Sequence, residues 1–238
     1  MELPGGRQMR YLLYRPEEYA EARDSWPLIL FLHGGGEAGE KLSMVRREGL
    51  PRLLEHRRRM PFVVVSPLSP RKAWSIPDLL LFLDGVERVH RVDPERVSVT
   101  GLSTGALAAW RLAIAAPDRV AAIAPVTLHR VPEDLCRMKA IPVWAFHNAR
   151  DTRASFRVMK KAVQIFRACG GDARLTIYPA EGHDAWTATY NRADLYVWLL
   201  THRRPRGPAS RQNENITPIS GAKSSAFDDK PNPLLNLQ

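Results

Sequence analysis

The sequence predicts an α/β protein whose central sheet is mainly parallel and covered by helices on both faces. Short β-branched or leucine-rich runs alternate along the chain with segments whose apolar residues recur every three or four positions. At 238 residues, with 45% hydrophobic and 25% charged residues, the chain can bury one large core without a disulfide framework or a structural metal. No internal repeat breaks the alternation, so a single domain over residues 1–204 is expected.

The runs Met9–Tyr14, Pro27–Leu32, Phe62–Ser66, Arg96–Thr100, Val120–Val126, Ile141–His147 and Ala173–Tyr178 read as strands. Between and after them, Asp78–Arg91, Gly105–Ala116, Ala154–Cys169 and Asp194–Arg203 show the apolar spacing of helices packed on one side. The composition changes after Arg204, where proline, glycine, serine and asparagine dominate and the apolar period disappears. Residues 205–238 therefore read as a disordered tail, since such a stretch buries too little apolar surface to offset its ordering entropy.

The formal charge of +10 raises the question of nucleic acid. Its basic residues are 28 Arg and 7 Lys spread along the whole chain, and the densest group, Arg57-Arg58-Arg59 with Arg52 and His56, has no interleaved aromatics to stack bases. That group reads as a solvated helix face, and no nucleic-acid partner is expected. No run approaches the roughly 20 apolar residues of a membrane span. The first ten residues, MELPGGRQMR, lack a basic start and apolar core, so a cytoplasmic location is expected. Cys136 and Cys169 lie far apart without CxxC spacing and read as ordinary free thiols.

The chemistry concentrates at strand ends. Gly101-Leu102-Ser103-Thr104-Gly105 stands between a strand and an apolar helix, which is the setting of a nucleophile elbow. A serine on so sharp a turn needs small residues two positions to either side, and both are glycine. A second strand runs into His33-Gly34-Gly35-Gly36, a loop able to present bare backbone N–H groups. Gly34 or Gly35, together with Thr104, could hold the oxyanion that forms in acyl transfer. The phosphate-loop spacings GxxxxGK[ST] and GxGxxG are absent from this segment, and His33 reads as a structural support of the loop.

An acid and a histidine must follow to complete such a site. Asp151 comes just after the strand ending at His147, and His183 just after the strand ending at Tyr178, so both lie on the sheet edge that carries Ser103. Asp184 is the rival acid, but adjacent residues seldom orient so that one holds the other's ring. His56, His90, His129 and His202 read as surface residues, and His147 as a buried structural one. Trp74 and Trp186 are candidates for lining a substrate pocket.

The segments FLHGGGEAGE, PFVVVSPLSP, RVDPERVSVTGLSTGALAAWRLAIAAPDRVAAIAPV, IPVWAFHNARD and RLTIYPAEGHDAWTATYNRADLYVWLLTHRR together resemble serine esterases of the α/β-hydrolase superfamily. The similarity is to dienelactone-hydrolase-like, phospholipase/carboxylesterase-like and feruloyl-esterase-like proteins, which are related to prolyl oligopeptidases. It covers about residues 9–204. The resemblance implies an α/β-hydrolase fold, Ser103 as nucleophile with Asp151 and His183 as partners, a small-molecule ester substrate, no cofactor and no metal. Peptide hydrolysis and a hydrolase-fold binding protein without turnover are the alternatives. The chain departs from these relatives in three places. Thr104-Gly105-Ala106 replaces Met-Gly-Gly, and Thr152-Arg153-Ala154 replaces a Val-Pro segment. Asn148 stands where glycine is common, which implies a left-handed backbone there.

Overall fold

The computed structural model describes residues 1–56 and 59–204 together with the backbone of Leu235–Leu237. A two-stranded ribbon, β1 (Glu2–Leu3) and β2 (Arg7–Gln8), precedes an eight-stranded sheet. The sheet is built from β3 (Tyr11–Tyr14), β4 (Trp26–Leu32), β5 (Val63–Pro67), β6 (Val92–Leu102), β7 (Ala122–Val126), β8 (Val143–Arg150), β9 (Ala173–Glu181) and β10 (Leu235–Leu237). Their spatial order is β10-β3-β5-β4-β6-β7-β8-β9. From β5 to β9 every neighbouring pair is parallel, whereas β3 runs antiparallel to β5 and β10 antiparallel to β3. All seven expected strands are present.

Among the described residues six α-helices cover the sheet: α1 (Gly49–His56), α2 (Ile76–Val89), α3 (Thr104–Ala115), α4 (Phe156–Ala168), α5 (Trp186–Tyr190) and α6 (Ala193–Thr201). The inner strands β4 and β7 read as unbroken apolar runs because both of their faces are buried. Leu28, Leu30 and Leu32 of β4 pack with α2 and α3 in one core. Ile29 and Phe31, pointing the other way, pack with α1, α5 and α6 in a second core. A polar cap starts α2, where Ser75 Oγ accepts from Asp78 N at 3.3 Å and Pro77 occupies the first turn.

The free-thiol expectation is overturned. Cys136, in a 3₁₀ turn (Leu135–Met138), and Cys169, the C-cap of α4, form a disulfide with a Cα–Cα distance of 5.3 Å. Their separation of 33 residues hides the contact from the sequence, because it arises only when that turn docks between α3 and α4. The charge cluster is partly visible: Arg52 pairs with Glu48 at 3.7 Å and Arg59 with Glu17 at 2.9 Å, while Arg57 and Arg58 lie outside the described residues. The segment read as a tail also lies outside them, apart from the strand Leu235–Leu237. Among the described residues no helix is long and apolar enough to cross a membrane.

Closing a loop of this length by a covalent bond stabilises the fold by about 3–4 kcal/mol in the chain-entropy description. Reduction, or Cys136→Ser with Cys169→Ser, is expected to lower the thermal midpoint by on the order of 10 °C. Thermal melts with and without reductant read this directly, and coincident melts would contradict it.

Candidate active site

The site is assembled at the C-terminal ends of β4, β6, β8 and β9. The turn from β6 into α3 places Ser103 at φ 54°, ψ −112°, a conformation that L-residues rarely adopt. Close packing against β4 explains the flanking glycines. A Cβ on Gly105 would lie 2.0 Å from the Leu32 carbonyl oxygen, and one on Gly101 would lie 2.6 Å from the same atom. The Ser103 N–H donates to the Val126 carbonyl of β7 at 3.0 Å, fastening the turn from its other side.

His183 follows β9, and its Nε2 lies 3.0 Å from Ser103 Oγ. Its Nδ1 lies 2.8 Å from Asp151 Oδ2, just past β8. The Asp151 side chain is fully buried, and its other oxygen accepts from the Arg153 and Ala154 N–H groups at 2.8 and 3.0 Å. With Asp151 Oδ2 as the acceptor, His183 donates from Nδ1, and Nε2 is left to accept from the serine. Asp184 points elsewhere. Its two oxygens accept from the N–H and the hydroxyl of Thr187 at 2.8 and 2.7 Å, at the start of α5.

Asn148 does not have the left-handed backbone expected of it; the positive-φ non-glycine residues described are Ser103, Thr127 and Asp134. Its side chain has a different task. Nδ2 donates to the carbonyls of Glu181, Gly182 and Asp184 at 3.4, 3.1 and 3.1 Å, tying β8 to the loop that carries His183. Thr127 reaches the same loop, its hydroxyl donating to the His183 carbonyl at 3.4 Å. A glycine at position 148 would have no amide to make these bonds.

Across the site, the loop after β4 is pinned by His33. Its Nε2 accepts from Ser69 N at 3.0 Å, so Nδ1 bears the proton and donates to the Gly34 carbonyl at 2.7 Å. Burial pushes the His33 pKa down to about 4. Trp74 Nε1 donates to the His33 carbonyl at 3.1 Å, and the two rings pack with centroids 4.6 Å apart, tilted at 52°. Gly35 sits beside Thr104, whose methyl would lie 3.6 Å from a Cβ placed on that glycine. Buried Glu37 packs against Gly34; burial raises its pKa, and the Gly34 and Glu37 N–H groups partly offset this.

Trp186 packs edge-on against the His183 ring at 5.4 Å and donates from Nε1 to Glu48 at 3.0 Å. His147 is fully buried, with its Nδ1 donating to the Asn148 carbonyl at 3.0 Å. His90 corrects a surface reading: it is buried, 3.0 Å from the Tyr11 hydroxyl, with its pKa pushed down to about 4 by burial. His129 keeps part of its ring exposed and reaches the Ser103 carbonyl with the rest; partial burial, Arg130 and His183 together lower its pKa. Sequence reasoning missed the roles of Asn148, Glu37 and His129, and the pattern held no signal for them beyond Asn148 standing where glycine is common.

No family model matches the chain. A 110-residue stretch is 28% identical to a protein of Yersinia pestis described as a "Putative carboxymethylenebutenolidase", over 42% of this chain and 41% of that protein. A solved thermostable esterase superposes with a TM-score of 0.73 at 23% identity, over 86% of this chain and 62% of that one. The chain has the α/β-hydrolase fold. Thermogutta terrifontis esterase 2, solved in a form phosphorylated by paraoxon, shares this fold with a TM-score of 0.65 at 14% identity, over 86% of this chain and 94% of the esterase. Pyrococcus horikoshii acylaminoacyl peptidase also carries it, with a TM-score of 0.57 at 13% identity, over 77% of this chain and 37% of the peptidase. The chain thus spans less than two thirds of the length of the curated relative and of the thermostable esterase.

The two low-pKa histidines couple stability of this α/β-hydrolase fold to pH. An unfolded imidazole titrates near 6.5, whereas His33 and His90 are held at about 4. Between these values the unfolded chain binds protons that the folded chain does not, so stability is full above about pH 6.5 and is lost as pH falls toward 4. Urea unfolding is expected to lose up to about 3 kcal/mol per histidine across that window. An unchanged urea midpoint between neutral pH and pH 4.5 would contradict their burial in the neutral form.

Proposed function

We propose that the protein is a serine hydrolase that cleaves carboxylic esters through an acyl-enzyme. The observation that carries this reading is the hydrogen-bonded chain from Ser103 Oγ through His183 to Asp151, built on a strained turn at the end of a parallel strand. In this reading Ser103 Oγ attacks the ester carbonyl as His183 Nε2 takes its proton. Collapse of the tetrahedral intermediate breaks the bond to the alcohol, which leaves with the proton from His183. Water then repeats the sequence on the acyl-enzyme, releasing the acid and restoring Ser103. Asp151 holds the ring in its Nδ1–H tautomer and stabilises the imidazolium that forms in each half.

The Thr104 N–H, at the first turn of α3, lacks an acceptor within the helix and can stabilise the oxyanion. Gly35 is the better second donor, because the Gly34 N–H faces the Glu37 carboxylate. None of these steps calls for a cofactor or a metal. The similarity to the Yersinia pestis protein and the fold shared with esterases support ester substrates.

Ser103→Ala is expected to abolish turnover of 4-nitrophenyl butyrate and covalent labelling by paraoxon or a fluorophosphonate, while circular dichroism stays unchanged. Retained turnover would sink the mechanism. Asp151→Asn is expected to lower kcat on the order of 10⁴-fold, because an amide can favour the wrong tautomer of His183. Asp184→Asn is expected to cost less than about tenfold, as a lost helix-start contact. If kcat measured on the same ester ranked these two variants the other way, the acid would be misassigned.

A further inference from the structure

A groove of about 360 Å³ runs along α3; none of Ser103, Asp151 and His183 lines it, and its lining residue Leu107 donates its N–H to the Ser103 carbonyl at 3.2 Å. Both of its walls belong to segments that lead away from the site. One is the face of α3 formed by Leu107, Arg111 and Ile114, which continues the helical row that begins at Ser103. The other is the segment from Arg130 to Arg137, which begins one residue after His129, the side chain that reaches the Ser103 carbonyl. Ile76, Leu107, Ile114 and Val131 give the groove apolar surface, and Arg111, Arg130 and Arg137 stand exposed around it.

These three guanidinium groups form no ion pair among the described residues, although Glu133 and Asp134 belong to the same wall. Three positive charges therefore face two negative ones, with the arginine forks left open. An open guanidinium fork matches the two oxygens of a carboxylate or the face of a phosphate. Arg111 lies eight residues along α3 from Ser103, which is about 12 Å at the helical rise, and its side chain can reach back toward the serine.

We propose that the groove is a subsite for the anionic end of an ester substrate, a carboxylate or phosphate carried on an apolar chain roughly 10 Å from the carbonyl that Ser103 attacks. This rests on the ester-hydrolase reading and adds a substrate class to it. The apolar surface receives the chain, and the arginines receive the charge.

The test compares 4-nitrophenyl hydrogen suberate, whose acyl chain ends in a carboxylate, with its neutral methyl ester. A second pair, butyrate esters of 8-hydroxyoctanoate and of its methyl ester, puts the charge on the alcohol side. In at least one pair the ratio of kcat/KM for charged over neutral ester is expected to be about tenfold. It is expected to shrink as salt is added and to fall to about one in Arg111→Gln/Arg137→Gln. The ratio is insensitive to a general loss of activity in the variant. Equal kcat/KM for charged and neutral esters in both pairs would overturn the subsite and leave the ester-hydrolase reading standing.

If the wild type turns over none of these esters, the ester-hydrolase reading fails. Calorimetric binding of the same esters to Ser103→Ala then decides the groove. Tighter binding of the charged member, lost when Arg111→Gln/Arg137→Gln is added, supports it, and equal binding overturns it. Free suberate, assayed against the neutral ester, separates the two sources of the anion. Competitive inhibition fits a substrate subsite, whereas inhibition or activation that leaves KM unchanged would mark a site for a free anion and overturn the substrate assignment.

Discussion

The contact between α3 and the end of β4 is the constraint on which the site depends. Gly105 and Gly101 both meet the Leu32 carbonyl so closely that neither position has room for a Cβ. Because the helix starts flush against the strand, the chain must turn sharply at Ser103, and the serine takes the positive φ that lifts its hydroxyl clear of the sheet. The loop after β4 leaves from the same point, which brings Gly35 beside Thr104. One tight approach of two backbones thus sets the position of the Ser103 hydroxyl and of the Gly35–Thr104 pair across from it.

The second theme is a set of polar side chains buried as neutral fixtures rather than as charges. His33 and His147 each donate from Nδ1 to a carbonyl, and Asn148 gives its amide to the His183 loop. Low dielectric surroundings make such bonds strong and penalise a charge on the rings. Asp151 is held differently, by two backbone N–H donors on the oxygen that does not meet His183.

The architecture was legible in the sequence because the inner parallel strands are buried on both faces and leave apolar runs, as Leu28–Leu32 does. That Ser103, Asp151 and His183 come together could be expected because each lies just past the end of a strand, so the strand's position fixes theirs. Contacts between distant segments were not legible. The Cys136–Cys169 bond depends on how a short turn docks between helices, and α5 is too short to show a period. The Asn148 clamp misled in a different way, since asparagine is compatible with a left-handed backbone as well as with donation to three carbonyls, and local pattern cannot choose between them.

The disulfide also bounds a ring of chain that contains β8, the Asp151 turn and α4. Thr152 and Arg153, which follow the buried aspartate, are exposed, and a trypsin-like protease would find its target at Arg153. A single cut there would open the backbone without parting the fragments. The two pieces would stay covalently joined through Cys136 and Cys169, so a nicked molecule would keep Asp151 and His183 within one covalent unit and migrate as two bands only after reduction.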